Sequence, residues 1–265
     1  METFSDHIRS WRSRRGLSQM ALGLNSGTSS RHISFLETGR SRPSRKMVLR
    51  LAQAMDIPLR EQNRLLNAAG FAPLFGERPI EDDALREARS AVKLLLTAHE
   101  PYPALVVDRY WQLIAWNRPQ LYFLKDLADD SGSLAHVNAL DLVFQPGGMR
   151  EQFLNWEEVA TAVLRRLNRQ RVRVGDDPQL QALWNRALAT PGTEQLLERY
   201  DLEQSPPPLV PMRMVQEGQT FTWFNTLASF GATGDATLEE LVIESFFPAD
   251  EETRIFARSV ANSRS

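Results

Sequence analysis

The sequence predicts two domains. The first is all-α, with five short helices, and the second is α+β, an antiparallel sheet with helices packed on it. Three observations predict this. Charge divides unevenly, with 12 Lys and Arg against 5 Asp and Glu in residues 1–76, a balance of +7, and 19 against 28 in the rest, a balance of −9. Residues 5–69 carry helix-spaced apolar positions and N-cap serines but no strand pattern. Beyond residue 99 the patterns run two strands, several helices, three strands. A basic small half on an acidic larger half implies different partners, and a polyanion suits the first.

Each element has a local reason. Ile8 and Trp11 share one face of the first helix, which the Arg14-Arg15-Gly16 step ends. Ser18 can cap a second helix carrying Leu22 and Leu24, and Ser29 a third with Ile33 and Leu36 on its buried side. Pro43-Ser44 opens a fourth, with Val48, Leu51, Ala52 and Met55. Pro58 starts a fifth, with Leu65 and Leu66, ending at Gly70. The stretch GFAPLFGERP, Gly70 to Pro79, holds two glycines and two prolines and reads as the domain boundary, so the first domain is 1–76.

Residues 77–98 read as a linker helix. Leu85, Ala88, Val92 and Leu95 make a narrow apolar seam, packed on its own domain or joining two copies of the chain. The second domain, 99–265, opens with PALVVD and WQLIAW, a hairpin around Arg109-Tyr110. Asn117 and Pro119 open a helix; 155–170, 178–189 and 193–200 follow as helices, and Pro206-Pro207-Pro208 ends that region. Strands are expected over 209–216, 219–230 and 239–247, then a helix over 250–260 capped by Asp250. The strand 219–230 has Phe221 and Trp223 at one parity and Phe224 and Phe230 at the other, which implies a bulge or burial on both sides.

Composition excludes several functions. Cysteine is absent, so no disulfide framework, zinc-thiolate site or thiol nucleophile is possible. No apolar run has the length of a signal peptide or a membrane span, so a cytoplasmic protein is expected. His7, His32, His99 and His136 form no metal-binding pair, and no catalytic or nucleotide-binding motif appears. No catalytic residue, metal or cofactor is therefore expected, and Glu244 and Asp250 read as ion-pairing or capping groups.

Residues 18–45, SQMALGLNSGTSSRHISFLETGRSRPSR, form a helix-turn-helix pattern. Gly23 suits a close helix crossing, and Gly27 supplies the positive φ of the turn. Ser29 caps the second helix, whose first turns can enter a major groove. Ser30, Arg31, Ser34 and, as weaker candidates, His32 and Phe35 project there; His32 can equally be packed or touch a phosphate, and Phe35 can be core. Arg reads guanine bidentately, and an apolar ring can touch a thymine methyl. Gln19 at the preceding helix start, with Arg40, Arg42 and Arg45, falls near phosphates.

The segment resembles the Xre, lambda-repressor-like, helix-turn-helix family at Ser18-Gln19, Leu22, Ser26-Gly27, Ser29, Ile33, Leu36-Glu37, Gly39 and Pro43. Gly23 departs from that family's usual alanine, at about 1 kcal/mol of helix propensity; Met20-Ala21 stands where acidic residues are common. The string Arg31 to Arg40, Pro58-Leu59-Arg60 and Leu65 to Pro73 are similar to the MmyB-like branch. That resemblance continues through Tyr102-Pro103-Ala104, Trp111, Asn117, Asn155-Trp156, Phe230-Gly231, Asp235 to Leu241 and Phe246 to Asp250. It implies a PAS-related module accepting a small hydrophobic ligand, such as a fatty acid, between the sheet and the helices between its second and third strands. Trp116, Phe123, Trp156, Met212, Trp223 and Phe230 are the expected lining, although each could simply be core. Arg109, Arg118 and Arg213 are candidate anchors for a carboxylate.

The reading is a homodimeric, sequence-specific transcription regulator acting on double-stranded DNA. The alternatives are an antitoxin-like or scaffold protein whose second domain docks a protein, and an enzyme fused to a DNA-binding domain.

Overall fold

A computed structural model describes residues 3–128, 133–199, 207–216, 218–231 and 234–262. It divides into two compact units. The first comprises Met1–Pro79, Gln170–Asp177 and Ala232–Glu239; the second comprises Ile80–Arg169, Pro178–Gly231 and Glu240–Ser265.

The first unit contains the five expected helices: α1 (Phe4–Arg14), α2 (Gln19–Ser26), α3 (Ser30–Glu37), α4 (Arg45–Ala54) and α5 (Leu59–Ala68). Their starts are set by side-chain caps. The hydroxyls of Ser18, Ser29 and Ser44 accept from the N–H of Ala21, His32 and Met47 at 3.0, 3.1 and 3.2 Å. Thr3 and Asp6 form a capping box at α1. One core joins Ile8, Trp11, Leu22, Ile33, Leu36, Val48, Leu51, Leu65 and Leu66. Leu24 is exposed instead, because α2 turns Leu22, Gly23 and Ser26 inward and a residue two positions from Leu22 lies across the helix.

The stretch after α5 is pinned rather than loose. Asn63 is buried and accepts from the N–H of Leu74 and Phe75 at 2.9 and 3.1 Å, while its amide donates to Phe75 O and Glu77 at 2.9 and 2.7 Å. Two segments from far along the chain complete this unit. Ala236 N–H donates to Gly76 O at 2.7 Å, and Glu239 accepts from Leu59 N–H at 2.8 Å, capping the α5 start that Pro58 leaves uncapped. A Cβ on Gly76 would fall on the Asp235 carboxylate.

In the second unit a 3-10 turn at Asp83–Leu85 leads into α6 (Arg86–Ala98). The strands are β1 (Ala104–Val107), β2 (Leu113–Trp116), β3 (Met212–Gln216), β4 (Gln219–Ala228) and β5 (Val242–Pro248), in the antiparallel order β2-β1-β5-β4-β3. Between β2 and β3 come α7 (Arg118–Phe123), α8 (Ala139–Phe144), α9 (Trp156–Val174), α10 (Pro178–Leu188) and α11 (Thr193–Arg199). The expected helix over 193–200 thus ends at Arg199; Tyr200 and Pro206 lie outside the described residues. Between β4 and β5, α12 (Ala236–Glu240), which belongs to the first unit up to Glu239, takes residues read as the start of the last strand, and Asp235 caps it by accepting from Thr237 N–H at 2.9 Å. The final helix, α13 (Glu251–Asn262), is capped by Asp250, which accepts from Thr253 N–H at 2.8 Å.

One further expectation changes, and one open alternative is decided. Leu85 and Val92 are buried within the unit, joined by Leu96, while Leu95 is 47% exposed and Leu94 is 69% exposed. A single helix face holds 85, 92 and 96; position 95 lies off it. The double parity of β4 is burial on both sides, since its pairing with β5 runs without a bulge. Phe221 and Trp223 face the core, while Phe224 stacks on Phe247 at 5.3 Å. Phe230 lies past the strand end.

Candidate DNA-binding and ligand-binding sites

In the first unit α2 and α3 are joined by Gly27, at φ 65° and ψ 41°. They meet so closely at Gly23 that an added Cβ would stand 2.9 Å from Thr28 O and 3.0 Å from Ser30 N. The glycine that counts against α2 as a helix former is therefore what allows this crossing. Ser30 and Arg31 are exposed on the first turn of α3, and the Arg31 guanidinium lies 5.4 Å from the Phe35 ring centroid. Ser34 and Phe35 are half-buried. His32 is half-buried too, with Nδ1 3.3 Å from the Thr28 hydroxyl. Arg40, Arg42 and Arg45 are exposed, and their side chains make no ion pair or hydrogen bond among the described residues. They place uncompensated positive charge beyond the end of α3 and at the start of α4.

Gln19 has a job that sequence reasoning missed. Its amide donates to Glu37 Oε2 at 2.8 Å, and Arg12 donates to both Glu37 oxygens at 2.5 and 3.0 Å. Glu37 is 2% exposed. Burial alone would raise its carboxyl, but the bonds from Arg12 and Gln19 hold it below the usual carboxylate range. Arg9 donates to Glu37 O at 2.7 Å, so α1, α2 and the end of α3 converge on one residue. The pairing of an arginine in the last turn of α1 with the last residue of α3 leaves no local pattern.

In the second unit a cavity of about 120 Å³ lies between one face of the sheet and α7, α8 and α9. Of the expected lining, Phe123, Met212 and Trp223 stand on its wall. Trp116, Trp156 and Phe230 do not. Trp116 pairs with Leu105 and packs against the same core, but it borders a separate groove that α6 lines on the far side of the sheet. Trp156 packs edge-on against Phe144, donates to Val143 O at 2.8 Å and lies under the Arg150 guanidinium at 3.9 Å.

The candidate anchors lie elsewhere as well. Arg109 pairs with Glu240 at 2.7 Å, Arg213 reaches Glu158 at 3.4 Å, and Arg118 borders the far-side groove. The cavity arginine is Arg166 on α9, paired with Glu244 of β5 and lying 4.2 Å from the Trp111 ring centroid. Trp111 itself has φ 65°, a left-handed conformation unusual for so large a residue. Just before it, Asp108 accepts from the N–H of Tyr110 and Gln112 at 2.8 and 2.9 Å. Burial raises the Asp108 carboxyl despite those bonds. Gln120 and Asn225 are the remaining polar side chains on the wall; neither carried a sequence signal. Among the described residues no cluster of three metal-liganding side chains occurs, and no helix is long and apolar enough to cross a membrane.

A helix-turn-helix with exposed arginines, in one chain with a five-stranded antiparallel sheet that carries a cavity on one face, defines the class: a DNA-binding regulator with a ligand-sensing part. Comparison with known families agrees. Residues 3–65 match a helix-turn-helix domain, and residues 88–259 match the ligand-binding domain of MmyB-like transcription regulators. The chain belongs to the MmyB-like transcription regulators, a family of regulators rather than enzymes. No curated protein matches it. Among solved structures, the PAS domain of BvgS from Bordetella pertussis is similar at 13% identity and a TM-score of 0.31, over 68% of this chain and 98% of that one. An RNA-binding light-oxygen-voltage receptor is similar at 11% identity and a TM-score of 0.27, over 96% of this chain; the chain spans 62% of its length.

Proposed function

We propose that the chain binds its operator as a cytoplasmic homodimer and that a small hydrophobic ligand with a fatty-acid-like chain regulates it from the cavity. The observation that carries the DNA half is an α3 with a capped, exposed start, followed beyond its end by the unpaired side chains of Arg40, Arg42 and Arg45. In this reading Ser29, Ser30, Arg31 and Ser34 face base edges, with His32 and Phe35 beside them. Gln19 reaches a phosphate from the α2 start while remaining tied to Glu37. One short recognition helix reads few bases, so two half-sites about 34 Å apart are expected. The dimer contact is assigned to the exposed side of α6 at Leu95, or to the sheet. The domain limits in this reading are 1–76 for DNA binding, 77–98 for the linker and 99–265 for the sensor.

The apolar wall formed by Phe123, Met212 and Trp223 supports the ligand half. A chain buried there gains about 0.8 kcal/mol per methylene before binding costs. To regulate, it must favour one arrangement of the protein over another, and a coupling of about 1–3 kcal/mol changes operator affinity some 5- to 150-fold. Selection of binding sites from random DNA, followed by operator titration with delipidated and reloaded full-length protein, tests both halves. Three arginine contacts per protomer predict a log–log salt slope near about −5 for the dimer. No selected sequence, or an operator affinity indifferent to every added lipid, removes the corresponding half. Closed-cavity failure combined with capture of a protein partner would favour the docking alternative.

A further inference from the structure

We propose that the polar end of the cavity ligand is uncharged and carries a group that both donates and accepts hydrogen bonds, such as a hydroxyl or primary amide, with Gln120 as its partner. The inference rests on the ligand reading above and goes further by assigning the head group. Gln120 sits on α7 and is 5% exposed. Its backbone N–H is taken up by Asn117 Oδ1 at 3.1 Å, but its side chain lies on the cavity wall with Oε1 buried and no partner among the described residues. Buried amide oxygens are rarely left unpaired, and those that are mark an absent partner or a functional role. An amide can be turned end for end without changing its shape, which would exchange the places of its oxygen and its NH₂. A partner that both donates and accepts satisfies either orientation.

The charges on the wall argue against an ionised head. Arg166 is already matched by Glu244, and its guanidinium lies against Trp111. The other polar wall residue, Asn225, is neutral. An incoming carboxylate would add a second negative charge to an apolar, balanced site, or would have to displace Glu244 and leave that carboxylate buried and alone. A hydroxyl or amide leaves the pair intact. A fatty acid can enter in its protonated form, which also donates and accepts, and its apparent affinity then falls tenfold per pH unit above its own pKa.

The test is calorimetry on delipidated full-length protein at pH 7.5 with octan-1-ol, octanamide and octanoate, which share one chain length. The alcohol and the amide are expected to bind at least tenfold more tightly than octanoate. Gln120→Leu is expected to weaken the alcohol and amide about tenfold while leaving octanoate within twofold. Octanoate binding as tightly as the other two, or a Gln120→Leu protein that holds the alcohol and amide unchanged, overturns the assignment while leaving an apolar-ligand sensor in place. If none of the three binds, the ligand reading itself falls and this inference with it. If Gln120→Leu does not fold, the head-group series on the wild-type protein decides alone.

Discussion

Replacing Arg12 with Met tests the polar node beneath the recognition helix. Arg12 supplies two of the three side-chain bonds to Glu37, at 2.5 and 3.0 Å, and Gln19 supplies the third. Removing one partner of a buried ion pair costs about 3–5 kcal/mol, because the other charge is left desolvated. Arg12 itself is 17% exposed, so water can partly replace it and the lower end, about 3 kcal/mol, is expected. That is roughly a 150-fold rise in the opening equilibrium of α1–α3. Hydrogen exchange of full-length protein, resolved to peptides from α1, α2 and α3, reads it directly; a single global melting curve would mix two units.

The pH dependence gives the argument its sign. Glu37 is depressed in the folded protein, so its contribution is fully present above the ordinary carboxylate value of 4.5 and is lost as pH falls through the lower folded value. In Arg12→Met the carboxyl is buried without its cation, so protonation relieves the penalty. The gap between wild type and variant should therefore begin to narrow above the ordinary carboxylate value, where the variant's uncompensated carboxyl takes up its proton, and go on narrowing until pH falls through the wild type's depressed value. A gap under about 1 kcal/mol at neutral pH, or one that stays constant into acid, would refute the reasoning and make Arg12–Glu37 an ordinary surface pair.

The remaining predictions concern DNA, helix crossing and cavity. Arg31→Ala should cost about 1–3 kcal/mol on the selected operator and relax one base position, whereas Arg42→Ala should weaken all sequences alike and reduce the salt slope by about 1 per protomer; anisotropy titrations at several salt concentrations separate them. Gly23→Ala should gain up to about 1 kcal/mol of helix propensity and lose about 1–3 to the clash with Thr28 O and Ser30 N, for a net fall in thermal stability. A gain in stability would show that the crossing can relax. Val163→Phe fills the cavity from α9 and should lower ligand affinity at least tenfold. Trp156→Ala should destabilise the unit through the lost Phe144 and Arg150 contacts while changing affinity less than Phe123→Ala, all measured by calorimetry.

Much of this was legible because it is local. Serine caps, the Gly27 turn, helix-spaced apolar residues and the β-rich runs of the hairpin each leave a short-range pattern, and each of these elements forms where that pattern places it. The misplaced pieces depend on distance. Residues 239–241 read as strand because apolar residues follow them, yet Asp235 caps a short helix there and delays β5 to Val242. The cavity wall was only half readable. Phe123, Met212 and Trp223 are large apolar residues, as lining residues are, but so are Trp116, which borders another groove, and Phe230, which lies past the end of β4. Arg166 and Glu244 are 78 residues apart, and nothing near either announces the other. Nothing near Arg109 in sequence separates it from the other candidate anchors, because its partner Glu240 lies 131 residues away.

The make-up of the first unit bears on how such regulators can be recombined. Its helix-turn-helix is continuous in sequence, but α5 takes its N-terminal cap from Glu239, and Gly76 exchanges backbone hydrogen bonds with Gly234 and Ala236. A cut at the compositional boundary strips both away. A chimera that grafts residues 1–79 onto an unrelated sensor would inherit a reading head with one helix start unsealed, unless the segment Gly234–Glu239 travels with it. Module exchange within this architecture is thus easiest between relatives that keep that later segment, and a reporter fusion is better built by replacing the sheet around it than by trimming the chain at its glycines and prolines.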